Sequence, residues 1–230
     1  MSFYFDMDGF GTDGKETCRY KIDMSCLQNY PRLQFIGAGI SGKVFASENF
    51  IVKLMPLYDS VDKRFCDTTS HANYEVEVKN SKLVSKLNLG PQFVEAFICK
   101  GHAIQKDKTQ PIQIGVIAQV KWDMNLLSYA TKFPDVFKQD EPEIRAKIFS
   151  LIKKYVKARI THTDLHLANI VVNVSKQNHI YDLTFIDFES LVVDDADPKH
   201  ERESWMVSTI KDELEHVFDF GNDSDSDSDS

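Results

Sequence analysis

The 230-residue chain has no uncharged apolar run near the roughly 18 residues a membrane helix needs. Its most apolar stretch, Ile112–Val120, is short and contains Gln113 and Gln119. It has no basic excess either. Lys and Arg number 27 against 35 Asp and Glu, a formal charge of −8, so neither a membrane nor a nucleic-acid partner is expected. Met1–Asp6 lacks the basic segment of a secretory signal. The four cysteines, Cys18, Cys26, Cys66 and Cys99, form no CxxC pair. Free thiols are expected from this spacing, rather than a disulfide frame or a zinc site. Together these absences predict an intracellular protein, cytoplasmic or nuclear, in its own cell or a host's. No internal repeat is visible.

What is present is ample core material, 42% apolar and 11% aromatic. Residues 1–30 read as an extension, with Gly9, Gly11 and Gly14 marking a loop that covers the next segment. Residues 31–120 read as strands with one helix at 73–88, whose apolar stripe is Val76, Leu83, Val84 and Leu87 and whose stop is Gly90-Pro91. Ser47-Glu48-Asn49 reads as a hairpin turn, and 93–99 and 112–120 as strands. Residues 121–218 are richer in helix, with a short one at 124–131, a longer one at 143–158 and a last one at 203–218. Ile170-Val171-Val172 and Leu183–Ile186 read there as two strands about a polar turn. From Asp219 on there are five Asp and no basic residue, ending in Asp-Ser repeats. This segment reads as a disordered, solubilising tail; acid-directed phosphorylation of its serines is the sharper reading. The predicted class is α+β, in two lobes joined near Gln119–Asp123.

The chemistry-bearing residues form an ordered series. Gly37-Ala38-Gly39-Ile40-Ser41-Gly42-Lys43-Val44 fits GxGxxGxV, in which glycines let the backbone approach phosphates. The strand that follows, in place of a helix, argues against a dinucleotide fingerprint, and Gly-Lys-Ser/Thr is missing, which excludes a P-loop. Lys53 lies in the apolar run Ile51–Leu54, where a buried ammonium needs an anionic partner. Glu77 stands at the margin of the helical stripe and is the candidate partner; Glu75 points away. His162-Thr163-Asp164-Leu165-His166-Leu167-Ala168-Asn169 fits HxDLxxxxN ahead of an apolar strand, and Asp187 follows Asn169 by eighteen residues in Ile186-Asp187-Phe188-Glu189. One carboxylate can take or orient a hydroxyl proton. A second carboxylate and an amide oxygen are hard ligands that suit Mg²⁺. Joined to a lysine and glycine-loop amides, these are the parts needed for in-line phosphoryl transfer.

In this order the residues resemble the protein-kinase-like superfamily over about 33–190. The resemblance implies a two-lobed fold with ATP between an antiparallel-sheet lobe and a reduced, mostly helical lobe. It implies Asp164 as catalytic base and Asn169 and Asp187 as Mg²⁺ ligands. Lys53 would contact phosphates and pair with Glu77, the loop Gly37, Gly39, Gly42 and Val44 would cover them, and 116–122, including Gln119, would meet adenine. His166 stands where typical protein kinases carry a lysine. Glu189 replaces the third residue of DFG, no APE follows, and 43 residues remain after Asp187. The chain thus resembles minimal, atypical kinases of the haspin, RIO or compact viral and effector type, which implies a serine/threonine protein substrate. A pseudokinase acting as a binding module and a small-molecule kinase are the alternatives.

A second motif competes. Phe5-Asp6-Met7-Asp8-Gly9 resembles the start of haloacid-dehalogenase-type phosphatases, with Asp6 as nucleophile, Asp8 as acid/base and Asp194-Asp195 as metal site. Phe10 and the missing βαβ series speak against it. An EF-hand reading of 6–17 fails at Phe10 and Thr17.

Overall fold

Period-two burial organises the first half of the chain. The computed structural model describes residues 2–7, 18–39, 41–58, 69–105, 108–193 and 199–219. It shows an α+β protein that divides into two compact units, Met1–Lys82 with Gln92–Lys121, and Leu83–Pro91 with Trp122–Ser230.

In the first unit, strands β1 (Ser2–Met7), β2 (Cys18–Asp23), β3 (Gln34–Gly39), β4 (Gly42–Ala46), β5 (Phe50–Tyr58), β7 (Phe93–Gln105) and β8 (Lys108–Val120) form one sheet in the order β1-β2-β7-β8-β5-β4-β3. Neighbours are antiparallel; only the two-residue β6 (Thr69–Ser70) runs parallel to β5. Along β5, Val52 and Leu54 enter one apolar cluster with Val116, Ala118, Tyr20 and Ile22. Met55 and Leu57, which follow Leu54 at alternate positions, enter a second cluster on the other face, with Ile117 and with Tyr74 of helix α1 (His71–Lys86). Tyr74 donates its hydroxyl hydrogen toward Phe97 and Val116 carbonyls, and burial pushes that hydroxyl up to about 12.

Within the expected 1–30 extension, residues 18–30 belong to the sheet and its core. β2 pairs with β7 through Arg19–Ile22, Tyr20 and Ile22 are fully buried, and the 3-10 turn Met24–Leu27 carries Leu27 into the same core. The signal is a strand's alternation between Arg19, Tyr20, Lys21 and Ile22, too short to stand out beside the glycines. One expectation is corrected in this unit, that of free thiols. Cys26 and Cys99 are joined in a disulfide with Cα atoms 6.1 Å apart, within the reach of that bond. Their separation of 73 residues carries no spacing signature; the pairing of β2 with β7 is what brings them together.

The second unit has its own core. Helices α2 (Leu126–Lys132), α3 (Pro134–Lys157) and α4 (Lys199–Asp219) pack with strands β9 (Met124–Asn125), β10 (Ile160–His162), β11 (Ile170–Val174), β12 (Ile180–Phe185) and β13 (Leu191–Val193). β11 lies between β12 and β9, and β10 pairs with β13. α3 buries Phe137, Ile144, Ile148, Leu151, Ile152 and Tyr155 at helical spacing. It begins nine residues before the expected 143 and runs through Pro142, which is exposed; Pro134 occupies the favoured first turn and Phe137 anchors the early part. α3 stops where Arg159 takes a left-handed backbone, φ 60°.

Leu83–Pro91 is built into this core. The Leu89 carbonyl accepts hydrogen bonds from Tyr155 Oη and Thr184 Oγ1, both at 2.8 Å. Gly90 is required here: a Cβ would lie 2.7 Å from Val84 and 2.8 Å from the Phe188 ring. Among the described residues no helix is long and apolar enough to cross a membrane. The acidic tail from 220 on, the loop at 8–17 and Asp194-Asp195 lie outside the described residues; Asp219 ends α4.

Candidate functional site

In the first unit the glycine motif is the β3–β4 hairpin, with Gly39 opposite Gly42 and a bulge between Phe35 and Gly37. Gly42 is demanded by packing, since a Cβ would lie 2.4 Å from the Leu54 carbonyl oxygen. Gly37 and Gly39 are not: a Cβ on either would meet nothing within 4 Å. Ile40 lies outside the described residues. Val44 stands opposite Lys53, so the two share a sheet face. On that face Lys53 Nζ donates to both Glu77 oxygens, at 2.8 and 2.9 Å, with side-chain exposures of 14% and 6%. The strand lysine and the helix glutamate are therefore a part-buried, two-oxygen ion pair. Lys43, not among the expected site residues, is buried on the opposite face with Nζ 5.3 Å from the Phe35 ring centroid. Gln119 sits on β8 opposite Ile51 and Phe93, and its Nε2 is buried without a hydrogen-bond partner among the described residues.

In the second unit the polar series runs from β10 through a 3-10 turn (Leu167–Asn169) into β11. Three links hold it against the turn after β12. The Ile186 N–H donates to the Asn169 carbonyl at 2.9 Å, extending the β11–β12 ladder by one pair. The Ile186 carbonyl accepts from His162 Nε2 at 2.8 Å. The Ser190 carbonyl accepts from both the N–H and the hydroxyl of Thr163. Asp164, His166, Asn169 and Asp187 are thereby gathered around one strand end.

His162 is fully buried between the Phe185 and Phe188 rings. A carbonyl only accepts, so Nε2 carries the proton and Nδ1 is bare; Nδ1 has no partner among the described residues. Burial lowers its pKa below the ordinary histidine value, which outweighs the upward pull of the Ile186 bond and of Asp187 and Asp164, so the ring is neutral at pH 7. Asn169 is buried and donates through Nδ2 to the Asp164 carbonyl at 2.9 Å and carboxylate at 3.3 Å. Its Oδ1 is left as the amide's acceptor. His166 Nε2 lies 3.9 Å from Asp164 Oδ2, and both side chains are open to solvent.

Asp187 has a left-handed backbone, φ 63° and ψ 75°. Such a conformation in a non-glycine residue, here at the N-cap of the 3-10 turn Phe188–Ser190, is held by the surrounding structure. A carboxylate oxygen of Glu189 lies within 4.8 Å of one from Asp187, and Glu189 Oε2 is buried without a hydrogen-bond partner among the described residues. In the sequence Glu189 stands only as a departure from the third residue of DFG. An acidic residue two positions after Asp187 is the signal that places it beside the metal-type oxygens. The available donors, an amide oxygen and carboxylates, fit a hard divalent cation and not a soft one.

Asp6 lies on β1, paired to Arg19 on β2, and Asp8 is outside the described residues. No protein-family model matches the chain, and no curated protein matches it.

Proposed function

We propose that the chain is an ATP- and Mg²⁺-dependent phosphotransferase with a two-lobed, protein-kinase-like arrangement, acting on serine or threonine of a protein. The observation that supports this most is the Asp164–Asn169–Asp187 group. The Asn169 amide nitrogen is used up on Asp164, its oxygen is left as a ligand, and the ladder bond to Ile186 brings it next to Asp187. A Mg²⁺ ion held by Asn169 Oδ1 and Asp187, with Glu189 alongside, would neutralise phosphate charge. Asp164 is the base that takes the hydroxyl proton, and its exposed carboxylate leaves room for an incoming hydroxyl. Lys53, held by Glu77, supplies a fixed cation for phosphate oxygens, and the open Cβ positions of Gly37 and Gly39 leave space for backbone approach. His166 supplies a further imidazole beside the base. Intracellular location belongs to the same proposal.

The test is transfer of the γ-phosphate from labelled ATP to the chain itself or to a generic protein. Asp164→Ala and Asp187→Asn should abolish transfer while circular dichroism and melting temperature stay near wild type. Full transfer by both variants would remove the assignment. Stabilisation by ATP with Mg²⁺ and no turnover on proteins, amino alcohols or sugars would instead select the pseudokinase reading.

A further inference from the structure

The 3-10 turn Leu167–Asn169 has an N-terminal problem. Its cap, His166, makes no side-chain bond to the turn, and Leu167 is fully buried, so the Leu167 N–H cannot turn to bulk water. An unpaired buried N–H costs about as much as a lost hydrogen bond. The acceptor comes from 46 residues further along the chain: Glu213 Oε2 on α4 lies 3.5 Å from Leu167 N. α4 is fixed for this task. Met206, Ile210 and Leu214, at helical spacing, are fully buried in the second unit's core, and Glu213 stands at the edge of that stripe. The turn that Glu213 caps ends at Asn169, the amide ligand of the preceding section.

We propose that Glu213 is a positioning residue: it fixes the start of the 3-10 turn and so sets the orientation in which Asn169 presents Oδ1 to the divalent cation. The inference rests on the metal-dependent reading of that site. A group that orients a metal ligand typically changes metal affinity by about 10–100-fold when removed. This contact is long and reaches the ligand through three residues, so the low end of that range, roughly tenfold, is expected.

Two measurements on the full chain test it, neither requiring turnover. The first is the exchange rate of the Leu167 amide by ¹⁵N NMR. The second is a Mg²⁺ titration followed on the Asn169 side-chain amide resonance. Glu213→Ala should speed Leu167 exchange and raise the Mg²⁺ midpoint roughly tenfold. Glu213→Gln keeps an acceptor oxygen and should restore both. Asp212→Ala, which removes an exposed charge from the same helix, should change neither. Unchanged exchange in Glu213→Ala would overturn the cap. Faster exchange with an unchanged midpoint would overturn the positioning role. A normal Mg²⁺ response in wild type with no phosphate transfer to any substrate would sink the phosphotransferase assignment and leave the Glu213 inference standing, so the two failures are separable.

Discussion

Replacing Lys53 by Met removes the ammonium that donates to both oxygens of the Glu77 carboxylate, whose side chain is only 6% exposed. At 2.8 Å and an effective dielectric of 20, the Coulomb attraction is about 6 kcal/mol, most of it offset by the cost of removing both ions from water. Breaking one side of such a pair typically costs about 3–5 kcal/mol, because a buried charge loses its partner. Lys53→Met and Glu77→Leu should therefore each lower stability by about 3 kcal/mol, the low end, since Lys53 keeps some water contact. The double variant should cost far less than the sum. Its two apolar side chains would lie on the sheet face where Met55, Leu57, Tyr74 and Ile117 already form a cluster. A double-mutant cycle from urea unfolding followed by far-ultraviolet circular dichroism should give a coupling energy of about 3 kcal/mol. Phosphate transfer should fall in Lys53→Met and stay lost in the double variant, which separates fold repair from chemistry. Additive single effects, with coupling below about 0.5 kcal/mol, would show a solvent-screened pair and refute the reasoning.

Reduction of the Cys26–Cys99 bond should lower stability by about 4 kcal/mol, from the chain entropy of a loop closed over 73 residues; urea midpoints with and without reductant, with alkylation to count thiols, check this, and identical midpoints for verified oxidised and reduced protein would contradict it. His162, neutral in the fold, should titrate below the ordinary histidine value of 6.5 in an NMR pH series. Because its folded value is depressed, its stabilising contribution is complete above the unfolded value of about 6.5 and is lost as pH falls from there through the lower folded value, with a slope of at most about 1.4 kcal/mol per pH unit; a ring that titrates above 6.5 would overturn the burial argument.

Much of the local structure was legible because it follows from periodicity. Of the expected stripe on α1 only Val84 is fully buried, and Val76 and Leu87 are exposed, yet Glu77 at its margin is the carboxylate that lies against Lys53. The apolar runs about 170–172 and 183–186 marked the hairpin that carries Asn169 toward Asp187. What was not legible depends on distance along the chain. Nothing local to Cys26 points to Cys99, and nothing near Leu167 points to Glu213. Pro142 reads as a helix boundary by its missing N–H, yet core contacts on both sides of it carry α3 through. Tyr20 and Ile22 were hidden by the brevity of β2, whose strand character is settled by its neighbour β7.

The double-accepting Leu89 carbonyl has a bearing on how the polypeptide can be cut. The nine residues Leu83–Pro91 are synthesised with the first unit yet complete the second. A truncated protein that starts at Trp122 would leave the Tyr155 and Thr184 hydroxyls without their acceptor and the Phe188 ring without its glycine neighbour. During translation, likewise, the early piece must wait for Gln92–Lys121 to emerge from the ribosome before its sheet can close, so neither unit is a contiguous stretch that folds in simple order of synthesis.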